Sequence, residues 1–167
     1  MASKLHTHTP GRPGLVSPDA TVEEWMTRSP ECIAMHQSLA IAQKRMVDLG
    51  VRHLPVLDGG QLVGVISERD LALLGTLAPE KLASMRVEDA MSGVPYCVPP
   101  QTPVREVASH MATRKVGSAI VMDQSRVLGV FTTTDALAAL AELLRDAPTE
   151  PELRSKVRHI SVVPRRQ

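Results

Sequence analysis

Gly64-Val65-Ile66-Ser67-Glu68-Arg69-Asp70 and Gly129-Val130-Phe131-Thr132-Thr133-Thr134-Asp135 are two versions of one pattern, set 65 residues apart. In each, a glycine and two apolar residues read as the end of a strand. A hydroxyl residue follows, with an aspartate three positions on, where a helix begins. The first N–H groups of a helix have no partner within it, and its dipole favours negative charge there. Ser67-x-x-Asp70 and Thr132-x-x-Asp135 therefore match the reciprocal cap that stabilises a helix start without any ligand. The same groups suit a ligand: a carboxylate accepts from the two hydroxyls of a ribose, and hydroxyls with cationic side chains hold a phosphate.

Working outward, the same ungapped shift of 65 carries Val22-Glu23-Glu24-Trp25-Met26 onto Val87-Glu88-Asp89-Ala90-Met91. It also carries Pro30, Cys32, Met46, Val51, Val56 and Asp58 onto Pro95, Cys97, Met111, Val116, Val121 and Asp123. About a dozen identities in some fifty positions mark a duplicated unit.

Each copy opens with a short helix carrying Met26 or Met91, then an extended piece at Cys32-Ile33 or Cys97-Val98. A helix follows with one apolar face, Leu39, Ala42, Met46 and Leu49 in the first copy and Val104, Val107, Ala108 and Met111 in the second. Pro103 belongs to the first turn of the latter. Strands at Leu54–Leu57 and Leu62–Ile66 flank Asp58-Gly59-Gly60, a tight-hairpin turn. The second copy has the weaker turn Asp123-Gln124-Ser125. Helices over Arg69–Leu74 and Thr134–Leu144 close the copies. The expected fold is α+β, two β-α-β-β-α units packed sheet to sheet about a pseudo-two-fold axis. A copy of about 55 residues buries too little apolar surface to stand alone. The organisation is a flexible tail over 1–20, a first unit over 21–75, a linker over 76–86, a second unit over 87–145 and a basic tail over 146–167.

Composition narrows the function. One Trp, one Tyr and one Phe leave no stacking platform for single-stranded nucleic acid. The net charge of +1 implies no polyanionic partner. The basic residues Arg154, Lys156, Arg158, Arg165 and Arg166 read as a solvated tail, with DNA or RNA binding the less favoured role. No apolar run is long enough to span a bilayer, the first 20 residues lack the apolar core of a secretory signal, and two cysteines make no disulfide framework. A reducing, cytoplasmic setting is expected.

The layout and the doubled Gly-apolar-apolar-Ser/Thr-x-x-Asp motif, over roughly Thr21 to Leu144, resemble tandem CBS domains, the Bateman module. The resemblance implies two clefts between the units, AMP, ADP, ATP or S-adenosylmethionine as regulatory ligand, a homodimer paired through helices, and a protein partner that reads the bound state. In the first cleft it assigns Asp70 to ribose and Ser67 to phosphate, with Arg69 and His53 adding positive charge. Thr102, Val116 and Gly117 from the second unit would flank the base. In the second cleft it assigns Asp135 to ribose and Thr132 and Thr134 to phosphate, with Gln37, Val51 and Arg52 from the first unit facing the base. Ser118 stands where the first cleft has His53, so charge favours the first cleft and hydroxyl count the second.

Plainer readings compete at several positions. Cys32 and Cys97 read as small buried apolar residues rather than a redox pair. Met26, Met46, Met91 and Met111 read as core. Trp25 reads as core, groove lining or a dimer contact, and Arg52 as ligand residue or strand-edge charge. His6 and His8 have no further ligands nearby for a metal, and His36, His110 and His159 form no cluster. No nucleophile with a base and an orienting group is apparent, so no catalysis is expected and no cofactor is required. The alternative to a ligand sensor is an interaction module with vestigial clefts, in which Asp70 and Asp135 serve only as caps. The cationic segment from Glu152 onward is the candidate output element.

Overall fold

A computed structural model describes residues 19–77, 82, 84–93 and 95–145. The tails expected at 1–20 and 146–167 lie almost wholly outside the described residues, as do His6, His8, His159 and the cationic C-terminal run. The elements are α1 (Val22–Trp25), β1 (Thr27–Arg28), β2 (Ile33–Ala34), α2 (Leu39–Leu49), β3 (His53–Asp58), β4 (Gln61–Ser67) and α3 (Glu68–Leu77). After a single 3-10 turn at Val87–Asp89 come β5 (Ser92–Gly93), β6 (Cys97–Val98), α4 (Val104–Arg114), β7 (Ser118–Asp123), β8 (Arg126–Thr132) and α5 (Thr133–Arg145). The class is α+β, with two four-stranded sheets ordered β2-β3-β4-β5 and β1-β8-β7-β6.

Local chemistry explains the elements. The Ser38 hydroxyl accepts from the Ile41 N–H at 3.4 Å at the start of α2, and Gly50, at φ 65°, ends that helix with its N–H bonded to the Met46 carbonyl. Leu39, Ala42 and Met46 are buried along the predicted face. Pro103 sits one position outside the first turn of α4, as its cap, where a missing N–H costs nothing. The first hairpin turns through Gly59 and Gly60, both at positive φ; in the second, Gln124 takes φ 51°.

The sheets reveal an exchange. The strand β1 lies next to the first unit in sequence but pairs antiparallel with β8, Thr27 against Val130. Likewise β5 pairs with β4, Gly93 against Gly64. The segments before them follow: Val22, Trp25 and Met26 pack in one core with Val107, Met111 and Phe131, while Val87 packs in the other with Leu39, Leu54 and Ile66. The bond from Val22 N–H to the Thr102 carbonyl at 2.9 Å is mirrored by Val87 N–H to the Gln37 carbonyl at 2.8 Å. Each core is thus completed by the opening segment of the other copy, which answers how so small a unit buries enough surface. At full burial, an apolar side chain of this size contributes about 1.5–3 kcal/mol.

The exchange is locked by glycine. A Cβ on Gly129 would stand 2.3 Å from the Met26 sulfur, and one on Gly64 would stand 2.6 Å from the Met91 sulfur. Trp25 is accordingly core within the chain, which removes it as a dimer contact. Met26, Met46 and Met111 are buried as read, and Met91 is half-buried against the first core. The two cysteines differ from their reading: Cys32 is half-buried and Cys97 exposed, because Ile33 and Val98 take the inward-facing positions beside them. Both are free thiols whose pKa is raised, chiefly by partial burial.

Candidate functional site

At both motifs the strand passes directly into a helix, β4 into α3 and β8 into α5. Asp70 Oδ2 accepts from the Ser67 N–H at 2.8 Å and from its hydroxyl at 2.6 Å, while the Asp70 N–H donates back to Ser67 Oγ at 3.3 Å. Asp135 repeats this with Thr132 at 2.7, 2.7 and 3.4 Å. The reciprocal cap read from the sequence is present twice with matching geometry. The first helical N–H of each is also taken: Glu68 N–H by the Arg52 carbonyl and Thr133 N–H by the Gly117 carbonyl. These bonds tie each helix start to the residue just before the partner strand of its own hairpin. Asp135 is 3% exposed, while Asp70 is only partly buried.

Two contacts join the units beside these motifs. A Cβ on Gly117 would lie 3.0 Å from His53 Nε2, so the imidazole rests against the backbone there. Burial first, and then the neighbouring Arg52 charge, hold the His53 pKa below its ordinary value, while Asp70 and Glu68 pull the other way. On the other side, the Arg52 guanidinium donates to the Thr134 hydroxyl across 82 positions of sequence. His53 and Gly117 had been assigned to one cleft, Arg52 and Thr134 to the other, and the structure brings each pair together.

The remaining assigned residues lie near these contacts with other duties. The Thr102 hydroxyl donates to the Pro99 carbonyl at 2.8 Å, closing a turn, and the Gln37 N–H bonds the Ala34 carbonyl at 3.0 Å. Val51 and Val116 are half-buried against the core of their own units. Arg69 is exposed and makes no hydrogen bond or ion pair among the described residues.

The charge balance differs from its sequence reading, which gave the second cleft less positive charge on the strength of Ser118. Ser118 is buried, but Arg52 brings a guanidinium to the second motif. The signal was present in the repeat. The shift of 65 pairs Arg52 with Gly117 and Arg69 with Thr134, so each motif has one arginine beside it and both come from the first unit. Among the described residues no cluster of His, Cys, Asp and Glu fits a metal ion. None of the described helices is long and apolar enough to cross a membrane.

The CBS domain family model matches residues 16–74 and 87–142, one copy on each half of the repeat. The chain belongs to the CBS domain family. This CBS pair is 30% identical over 116 residues to the protein YlbB of Bacillus subtilis, covering 68% of this chain and 78% of YlbB. Among solved structures, CBSX2 in complex with AMP superposes with a TM-score of 0.64 at 28% identity, over 75% of this chain and 98% of that one. The CBS domain pair of protein MJ0100, in complex with 5′-methylthioadenosine and S-adenosyl-L-methionine, gives 0.65 at 28% identity, over 74% and 98%. The L-aspartate semialdehyde sulfurtransferase of Methanocaldococcus jannaschii and the inosine-5′-monophosphate dehydrogenase of Korarchaeum cryptofilum are similar to this pair, at 31% and 27% identity, over 23% of their own length.

Proposed function

We propose that this CBS pair is a regulatory module that binds an adenosine-containing ligand, AMP, ADP, ATP or S-adenosylmethionine, in clefts at the two motifs. The observation that carries the reading is the doubled strand-to-helix start, in which a capped aspartate lies beside an arginine supplied from within or across the pair. Asp70 and Asp135 take the ribose; Ser67, Thr132 and Thr134 with Arg69 and Arg52 take phosphate. The base lies toward Thr102, Val116 and Gly117 in the first cleft and toward Gln37 and Val51 in the second. Solved relatives carrying AMP or S-adenosylmethionine support this choice of ligand class. A ligand acts as a signal only through unequal affinity for two arrangements of the pair, so a partner that reads the arrangement belongs to the proposal.

A second copy of the chain is proposed on the α4–α5 face. A groove of about 460 Å³ there is lined by Ala108, Met111, Ala112, Ala136 and Leu140. Leu137 and Leu143 also line it, 65% and 43% exposed, apolar surface that a soluble monomer rarely leaves contiguous.

One observation favours the vestigial reading: Asp70 and Asp135 each already accept two cap hydrogen bonds on Oδ2, and no buried side-chain polar atom among the described residues lacks a partner. A thermal-shift screen of adenine nucleotides, guanine nucleotides and S-adenosylmethionine separates the two. Ligand at about a hundred times its dissociation constant stabilises the fold by about 2.7 kcal/mol, raising the midpoint by about 5 °C. We expect a rise selective for adenosine compounds that is reduced in Asp70→Ala or Asp135→Ala and lost when both are changed, each substitution costing about 1–2 kcal/mol of stability as a lost cap. No rise at millimolar concentration for any compound would leave the interaction module as the function.

A further inference from the structure

The clefts are built from equivalent backbone, yet they stand in different states. At the first, Arg69 extends from the motif helix without a partner among the described residues, and the repeat mate of Arg52 is Gly117, which has no side chain. The Asp70 carboxylate there is partly exposed. At the second, the facing position is Arg52, and its guanidinium holds the hydroxyl of Thr134, the residue next to Asp135. Asp135 as a whole is 3% exposed. A nucleoside approaching Asp135 has to part a bond between the two units and uncover a carboxylate; one approaching Asp70 has neither to do.

We propose that the Arg52–Thr134 bond bridges the second cleft, so that a nucleoside fills the first cleft first and the second only when the bridge opens. This rests on the adenosine reading above and adds an order of filling to it. The bridge joins two exposed side chains, so its strength is that of a modest hydrogen bond, worth roughly three- to tenfold in affinity. An ordering of that size would give the module a graded response, with a first ligand at low concentration and a second at higher concentration.

Equilibrium dialysis of the full chain against labelled adenosine, which has no phosphate, tests the bridge without removing a phosphate contact. Two unequal sites are expected in the wild type, the tighter one lost in Asp70→Asn, which retains a capping oxygen. In Thr134→Val and Arg52→Leu the weaker site should tighten roughly three- to tenfold while the tighter one holds. Two equal sites in the wild type, or a weaker site unmoved by both variants, would overturn the bridge and leave adenosine binding intact. If neither adenosine nor AMP binds any of these proteins, the ligand reading itself falls and takes the bridge with it.

Discussion

At the end of α2 and in its hairpin the first unit places glycine where φ is positive: Gly50, then Gly59 and Gly60. In the second unit the matching positions are Lys115, at φ 55°, and Gln124-Ser125, with Gln124 at φ 51°. A side chain in the left-handed region costs about 1 kcal/mol relative to glycine. The duplicated fold has thus been kept while the second copy carries strain at its helix end and hairpin that the first avoids at those places. A related division runs through the motifs, where the second unit holds the buried Asp135 and the bridged Thr134, and the first unit the more accessible Asp70 and Arg69. Symmetry of the backbone therefore says little about equivalence of the two sites.

The largest effect should come from breaking what the units do share. Valine at Gly129 would meet the Met26 sulfur and the Thr27 carbonyl, and valine at Gly64 the Met91 sulfur and the Ser92 carbonyl. Backbone oxygens at 2.9 and 2.8 Å cannot yield as a methionine can. Each substitution should lose about 3 kcal/mol in urea unfolding, equally in the two units. A loss confined to one would show that only one exchanged segment is held by its socket.

That exchange was not legible in the sequence, and the reason is physical. The offset of 65 is ungapped, so the helix faces, hairpins and capped starts could be read directly. The strands β1 and β5, however, are two residues each, Thr27-Arg28 and Ser92-Gly93, too short and polar to show a period. Nothing local says which sheet they join. The cysteines failed for a related reason: Cys97 lies in a two-residue edge strand and Cys32 just before one, and neighbouring Val98 and Ile33 are the side chains that point in. At the candidate site the caps were visible because they span three residues. The Arg52–Thr134 contact spans 82 and belongs to tertiary structure alone.

A smaller effect would sharpen the comparison of strain. Lys115→Gly should stabilise the chain by about 0.5–1 kcal/mol, and Gly50→Lys should cost a similar amount, both read as shifts in the urea midpoint. Equal and opposite shifts would confirm that the two helix ends differ only in side chain.

The smallest expected effect concerns His53, whose mate is Ser118. Its pKa is depressed in the folded chain by burial and by Arg52. Below the unfolded value of about 6.5 the unfolded chain takes up the proton first, so stability falls as pH drops from there through the folded value. His53→Gln should flatten the thermal midpoint between about pH 6.5 and 5 relative to wild type. An unchanged slope would mean the imidazole is as free in the fold as out of it.

The exchanged segments also set an order of assembly during synthesis. A chain emerges amino end first, and a domain can close only on residues already made. The first sheet waits for Val87 and Met91 to fill the hollow over Gly64, though every other part of its own hairpin has long been released. Val22, Trp25 and Met26 leave the ribosome earliest of the described core and have nowhere to land until β8 is translated. Neither copy can finish folding before the other has begun: the first core of the CBS pair can close once Gly93 is released, the second only after β8 and α5 have followed.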